Sequence, residues 1–379
     1  MSKKLKYIIG ILLVLITVVM SILIVNLVEV KDDDAVKGSL VIWVEDNIYD
    51  YMDKSAKDFM EINGKTEIKI IKVNHDEIQS VLLSNDVPDI VQLGSREVRE
   101  LAATLSFIPE NNDENVISSF SKNYMKSRIN EVKDGDKLLG IPMTSRPLVL
   151  YLREDMLNEY GYTYSQINTW DDLIEVGRDI HLRSEGKVSV LNAVDKDYED
   201  LISLITMQAM EEELKEEEEI KNYVDSTILK LKENGILNRN KNGQFLARIS
   251  SNNGMYELSN IKEECKWIAC NVPSVYNGSN KFYNSEGDNF VILKNYDKNY
   301  KLIKKFFDYI SNNNKVRQEY ILNGTSFSSF ISSYNNKAVE VGINNFIGVS
   351  PVIVMNNIYT KAPSIDDYDL YFKITAEYK

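Results

Sequence analysis

The sequence predicts an α/β protein built on parallel sheet, with room in its 379 residues for two domains. Two observations carry that class. Between residues 40 and 103, apolar runs of strand length alternate with segments of helical period. The order is strand, helix, strand, helix, strand, which right-handed crossovers turn into a parallel sheet. The run Ile90-Val91-Gln92-Leu93 is also short and apolar, entered through Pro88-Asp89 and closed by Gly94-Ser95. That pattern suits a strand buried on both faces.

Leu40 to Val44 (LVIWV) forms the first strand, and Glu45-Asp46-Asn47 after it can cap a helix start. Ile48, Tyr51, Met52, Ser55, Phe59 and Met60 then share one helical face, closed by Asn63-Gly64. Glu67 to Val73 is the second strand and Glu77 to Leu83 the second helix. Asp89 to Leu93 is the third strand and Arg96 to Ala103 the third helix. Ligands of parallel sheets bind beyond the carboxyl ends of the strands. Those ends here are Glu45-Asp46-Asn47 and Gln92-Leu93-Gly94-Ser95. Further on, Asp134-Gly135 signals a hairpin between Val132 and Leu138, and Leu148 to Leu152 is a strand. Thr169 caps a helix, with Asp172 completing a capping-box-like pair and Trp170, Leu173, Val176 and Ile180 as its stripe. Residues 198–232 read as helical throughout. The acidic run Glu211 to Glu219 within them reads as a solvated face, since like charges spread around a helix cannot chelate one ion. Trp267 to Val272 and Phe290 to Leu293 are strands, and Asp297 to Tyr309 is an amphipathic helix.

Ser2-Lys3-Lys4-Leu5-Lys6 precedes an uncharged apolar run from Tyr7 to Val25. At about 1.5 Å per residue that run spans about 28 Å, close to the hydrocarbon thickness of a bilayer. The lysines should stay cytoplasmic, which puts everything after Glu29 outside the cell. Residues 1–30 therefore read as a transmembrane anchor or uncleaved signal, and 31–37 as a short stalk. A cleaved signal peptide is the rival, but no small-x-small site closes the run, and no cysteine near it can take a lipid. A net charge of −13 argues against a nucleic-acid surface. Cys265 and Cys270, if strand-borne, lie about 17 Å apart and face opposite ways, which predicts free thiols. Only His75 and His181 exist and neither is near them, so zinc is not expected. Nucleophile elbow, Walker loop and HExxH are all missing, and the adjacent carboxylates Asp366-Asp367 and Glu45-Asp46 do not frame a scissile bond. No enzyme and no cofactor are expected.

Taken together, the segments resemble extracellular solute-binding proteins of ABC importers, of the sugar-binding, maltose-binding-protein-like type. LVIWVEDNIYDYMDKSAKDFMEINGKTEIKIIKV (40–73) is similar to the family's first strand, helix and second strand. SVLLSNDVPDIVQL (80–93) resembles its Gly-x-x-Pro-Asp lead-in, with Asn85-Asp86 where glycine is usual. KDGDKLLGIPMTSRPLVLYLREDML (133–157), NTWDDLIEVGRDI (168–180) and FYNSEGDNFVILKNYDKNYKLIKKFFDYI (282–310) match later segments. Three departures stand out. The "tGy-P" motif survives only as Asn323-Gly324-Thr325, no long helix follows Tyr371 to Lys379, and a transmembrane run replaces the lipid-bearing cysteine.

The resemblance implies a two-lobed periplasmic-binding-protein-like (type II) fold with an interlobe cleft, preceded by an N-terminal transmembrane helix. Lobe 1 would comprise 38–144 plus 289–328, and lobe 2 would comprise 147–286 plus 330–379. Hinge crossovers are expected near Thr144 to Leu148, Gly287 to Asn289 and Thr325 to Ser329. The implied function is to capture a small polar solute, a sugar or sugar acid, and deliver it to ABC permease subunits from the extracellular side of the cell membrane. The alternative is a membrane-tethered sensor or surface interaction protein that keeps the fold without transport. Sugars are held by flat aromatic faces and planar polar groups. The candidates are therefore Glu45, Asp46, Asn47 and Tyr49 after the first strand, and Gln92 and Ser95 after the third. Thr144, Ser145 and Arg146 lie on one crossover, and Glu286, Gly287 and Asp288 on another. Tyr368 and Tyr371 fall near the family's stacking aromatic. Loop or capping duty competes for every polar residue, Asp46 as a helix N-cap among them, while Trp43 and Trp170 read as core. Arg146 points toward an acidic ligand, because a guanidinium matches carboxylate or phosphate. Its competing reading is a hinge arginine paired to a carboxylate.

Overall fold

The structure, a computed structural model, describes residues 36–378 apart from 83–86, 103–120, 136, 213, 241–242, 294–295, 313, 323, 325 and 336, together with positions 16 and 20. The expected anchor over 1–30 thus lies outside the described residues except for Ile16 and Met20. Among the described residues, no helix is long and apolar enough to cross a membrane.

The chain opens with β1 (Gly38–Val44), α1 (Asp46–Ile62), β2 (Thr66–Lys72), α2 (His75–Leu82), β3 (Ile90–Gly94) and α3 (Ser95–Ala102). After α4 (Lys126–Glu131) come a hairpin, β4 (Lys133–Asp134) and β5 (Lys137–Leu138), and then β6 (Ile141–Pro142). A second sheet begins at β7 (Val149–Arg153) and is built out through α5 (Glu154–Glu159), α6 (Trp170–Arg183), β8 (Val188–Asn192) and α7 (Lys196–Glu211). It continues with α8 (Glu217–Glu233), β9 (Leu237–Asn238), β10 (Gln244–Ser250), α9 (Asn252–Ser259) and β11 (Trp267–Asn271). The chain then returns to the first sheet as β12 (Asp288–Ile292), followed by α10 (Tyr296–Asn312), α11 (Asn314–Leu322), α12 (Pro351–Lys361) and α13 (Tyr368–Ala376).

Sheet order is β2-β1-β3-β12-β6 in the first sheet and β11-β7-β10-β8-β9 in the second. Strand β1 runs parallel to β2 and β3 as expected, but the returning β12 is antiparallel to both β3 and β6. In the second sheet β8 is parallel to β10 and β9, and β7 is antiparallel to its two neighbours. Both sheets are therefore mixed.

Packing follows the periodicities. Leu40, Ile42 and Val44 alternate inward from β1 and meet Ile48, Met52 and Phe59 of α1, with Phe59 edge-on to Phe306 of α10 at 5.3 Å. Leu148, just before β7, and the β7 side chains Leu150 and Leu152 pack with α6, α7 and α8 on one face of the second sheet. On the other face Tyr151 packs with Trp267, Met355 and Tyr359. The α6 capping box is formed: Thr169 Oγ1 accepts from Asp172 N at 3.2 Å, and Asp172 accepts from Thr169 N at 2.9 Å. Trp170 is buried, its Nε1 donating to Gln208 at 2.9 Å, whereas Trp43 is only half-buried. Both cysteines are free.

Two local expectations are corrected. Residues 198–232 form two helices, broken between Glu211 and Glu217. The break falls inside the glutamate run, where like charges three and four apart repel in a continuous helix. Restarting the helix puts Glu217, Glu218 and Glu219 in a first turn, where the dipole favours them. In the hairpin, Lys133 pairs with Leu138 and Asp134 with Lys137, so Asp134 belongs to the strand. Gly135, at φ 56°, opens the turn instead.

Three segments pass side by side between the sheets. Thr144 bridges Ser328 and Pro147 bridges Asn284, both antiparallel. Backbone bonds tie them further: Ser145 N to Phe327 O at 2.8 Å, Met143 N to Asp288 O at 2.8 Å and Ser285 N to Arg146 O at 3.0 Å.

Candidate functional site between the two sheets

At the carboxyl edge of the first sheet, β1 and β3 end where the antiparallel β12 begins. That edge gathers a row of planar polar groups. Gln92, 1% exposed, accepts from Glu45 N at 2.9 Å and donates from Nε2 to Asn47 Oδ1 at 3.0 Å. Asn47 Nδ2 in turn donates to Asp288 Oδ2 at 2.9 Å, and Thr144 Oγ1 donates to the same oxygen at 2.9 Å. Each bond fixes the next group, so the row is held in one orientation. Beside it, His75 stands between two carboxylates, 3.3 Å from Glu45 and 3.0 Å from Glu97. Burial, and then the charge of Asp288, push the Glu45 carboxyl above its usual range. Burial raises Glu97 as well, with Glu286 and Asp288 adding to it while His75 pulls it back.

The second sheet supplies the facing wall. Arg146, on the first crossover, pairs with Asp200 of α7 at 2.5 Å. Lys196, at the start of α7, pairs with Glu199 at 3.0 Å. From the first-sheet side, Arg96 of α3 donates to Thr375 of α13 at 3.0 Å. Arg99 forks onto Asp369, with Nε to Oδ1 at 2.5 Å and Nη2 to Oδ2 at 2.9 Å. Arg96, Arg146, Lys196, Asp200, Glu286 and Tyr371 close around about 10 Å³ of free space, room for a single water. A larger cavity, about 630 Å³, lies at the other end of α7. We assign the site by the convergence of oriented polar groups at the strand ends, a criterion that volume does not replace.

Of the residues singled out from sequence, Glu45, Asn47, Gln92, Thr144 and Asp288 are brought into one network, with Arg146 and Glu286 close by. The others go elsewhere. Asp46 is exposed and pairs with Lys72, and it is not the α1 N-cap, which is Glu45. Tyr49 is half-buried, with the Lys72 ammonium over its ring at 5.8 Å. Ser95 and Ser145 are 0% and 1% exposed and serve the crossovers. Ser95 Oγ donates to Gly287 O at 2.9 Å, and Ser145 Oγ meets Ser329 Oγ at 2.8 Å. Gly287 is required by close approach, because a Cβ there would sit 2.0 Å from Thr144 O. Tyr368 and Tyr371 are 7% and 1% exposed in the second-sheet core, because α13 turns its aromatic side onto α7. Their hydroxyls donate to Ser127 O at 3.0 Å and Ser285 O at 3.4 Å, and burial leaves neither ring an open face for stacking. Arg146 is committed to Asp200, so it lends no support to an acidic ligand.

Sequence reasoning missed His75, Glu97, Lys196 and Asp200, which only the fold brings near the strand ends. It also missed a buried pair under the crossovers: Arg128 Nη1 lies 2.6 Å from Glu131 Oε2, with side chains 0% and 2% exposed. Arg128 donates further to Ser95 Oγ, Ser329 Oγ, Asp288 O and Asn289 Oδ1, and Glu131 accepts from Gly287 N at 3.1 Å. Their spacing of three, common to solvated pairs, gave no signal of this. Among the described residues, no cluster of His, Cys, Asp and Glu is arranged to hold a metal ion.

Two α/β domains on separate sheets, three adjoining crossovers and a polar site between them define a two-domain binding protein. The chain belongs to the bacterial extracellular solute-binding protein family, whose sequence model matches residues 45–314. The fold is shared with an ABC substrate-binding protein from Listeria monocytogenes in complex with cycloalternan, at 13% identity, 91% of this chain, 95% of that one and TM-score 0.64. It is shared with the sugar-binding protein MalE from Xanthomonas citri at 15% identity, 90% and 98% coverage and TM-score 0.63. An ABC transporter associated binding protein from B. animalis subsp. lactis in complex with beta-1,6-galactobiose is similar at 13% identity, 90% coverage of both chains and TM-score 0.61. No curated protein sequence matches the chain.

Proposed function

We propose that this chain is the solute-binding component of an ABC importer. It takes a small polar solute, a carbohydrate, between lobe 1 (38–144 plus 289–328) and lobe 2 (147–286 plus 330–379). It then delivers that solute to permease subunits, tethered outside the cell by its N-terminal helix. One observation carries the reading: the oriented row of the planar groups of Gln92, Asn47 and Asp288 with the Thr144 hydroxyl, donors and acceptors of the kind that bond sugar hydroxyls. Family membership and the saccharides named with two solved relatives support it. Three adjoining crossovers suit a hinge, and binding, closure, docking and release ask for no covalent step.

Charge narrows the solute. With Arg146 neutralised by Asp200, the negative potential of Glu45, Glu97, Glu286 and Asp288 favours a neutral sugar over a uronic acid or sugar phosphate. A thermal-shift screen of residues 38–379 tests this. A solute at 100 times its dissociation constant adds about 2.7 kcal/mol, a rise of a few degrees in Tm. Neutral oligosaccharides should give that rise and uronic acids should not. No rise with any saccharide overturns the reading.

A second reading, a tethered sensor or surface interaction protein that keeps the fold without transport, is favoured by one feature. The space between the lobes is already filled by Arg146–Asp200 and spanned by Arg99–Asp369. Uptake of labelled sugar by cells carrying the chain separates the two, since a sensor leaves uptake unchanged.

A further inference from the structure

The end of α7 remote from Lys196 borders the cavity of about 630 Å³. Fifteen residues of helix separate Lys196 from Glu211, about 22 Å at 1.5 Å each, so this cavity is distinct from the interlobe site. Its volume falls in the range of about 300–1,000 Å³ that small-molecule sites occupy. Met207, Met210 and Leu214 line it from the end of α7 and the chain just after, and Ile365 and Leu370 line it from the start of α13 and the segment before it. Methionine is unbranched and polarizable, so such a wall adapts to aliphatic or aromatic bodies. Among the described lining residues the charges are unbalanced, with Glu211, Asp366 and Asp367 against Lys215. Glu211 is held in place by Tyr283 Oη at 2.5 Å and Asn280 Nδ2 at 2.6 Å, and Asp367 caps α13 by accepting from Leu370 N at 2.9 Å. Asp366 is exposed at the rim.

We propose that this cavity is a second ligand site, taking a small amphipathic cation: an ammonium group for the carboxylate rim and an apolar body for the methionine-lined wall. Its lining includes Tyr283 and Asn284, whose segment pairs with the first crossover at Pro147, and Ser364, which accepts from Asn130 at 3.1 Å. An occupant therefore touches segments that lead to both sheets.

The test is saturation-transfer NMR on the full chain in nanodiscs, with empty nanodiscs subtracted and phenethylamine, phenylacetate and 2-phenylethanol as matched probes. Phenethylamine should give the strongest transfer and phenylacetate the weakest. Met210→Trp and Ile365→Trp, which fill the cavity from two separate segments, should abolish the transfer while leaving the saccharide thermal shift unchanged. Asp366→Asn should weaken phenethylamine about two- to five-fold, the effect of losing one exposed charge partner. Equal transfer to phenylacetate overturns the charge assignment. Full transfer in tryptophan variants that keep the wild-type Tm overturns the site.

Discussion

Gly287 is where a single atom matters most. Thr144 O lies 2.0 Å from the place a Cβ would take, and Arg128 Nη2 lies 2.8 Å from it. Gly287→Ala must therefore push apart two crossovers that are held together by Met143 N and Thr144 N donating to Asp288 O and by Asp288 N donating to Thr144 Oγ1. Overpacking of this kind costs about 1–3 kcal/mol, and the crowding atom here is backbone, which cannot swing away. We expect urea unfolding to show that loss as a lower midpoint with an unchanged slope. A midpoint equal to wild type would mean the crossovers are looser than described. Beneath them, Arg128 and Glu131 are desolvated, which is costly, yet every contact they make lands on a crossover or its neighbour. Burial pushes the Glu131 carboxyl up and Arg128 pulls it back. The pair fixes position. Neither residue was legible beforehand, because an Arg and a Glu three apart on a short helix look the same whether solvated or buried. Gly287 and Asp288, by contrast, were singled out from sequence; Gly287 is scaffold by close approach, and Asp288 stands in the candidate row, accepting from Asn47 and Thr144.

Helix α7 links the site to the second core, and its first turns carry the clearest pH signature. Asp197, 5% exposed, pairs with Arg248 at 2.5 Å, yet burial pushes its carboxyl up to about 6 from an ordinary 3.8. A folded-state value above the unfolded one gives stability that is fully present below about 3.8 and lost as pH rises through about 6. Two units at 1.36 kcal/mol each make about 3 kcal/mol. Asp197→Asn removes that titration. The stability of wild type relative to the variant, from urea unfolding at both pH values, should therefore be greater at pH near 4 than at pH near 7.5, by up to that amount. A difference that does not change with pH would contradict a raised Asp197. Elements as such were well legible: β1, α1, β2, β3, α6 and α10 follow period and cap closely, and Thr169 with Asp172 forms the expected box. The errors came where local pattern is silent. Nothing in the apolar run of β12 says that it will pair antiparallel, and the glutamate run hid a helix break because helix-forming residues fill it.

At the scale of the whole molecule, α13 is the part that touches both sides. It packs on α7 through Tyr371 and Phe372 and reaches α3 through Asp369 and Thr375. The Arg99–Asp369 fork is largely open to water at Asp369, 71% exposed, so it is worth at most about 1 kcal/mol. That is still enough to bias an open–closed equilibrium about five-fold. Asp369→Asn should therefore increase the radius of gyration in small-angle scattering when no solute is present, and an unchanged radius would deny the fork any part in closure. The residues alone gave room for two domains, and the two-lobed plan came from the resemblance of segments over most of the chain to a known family. The chemistry of the site was legible only in part. Strand-end residues can be named from sequence, but which facing charges cancel depends on contacts such as Arg146–Asp200, fifty-four positions apart. The account stands on Asp288 and its neighbours holding a sugar between the lobes, and calorimetric titration tests that most directly. The neutral saccharide giving the largest thermal shift should bind wild type and bind Asp288→Asn about ten-fold or more weakly, as loss of a charged hydrogen-bond partner requires. Equal affinity in the two proteins would contradict it.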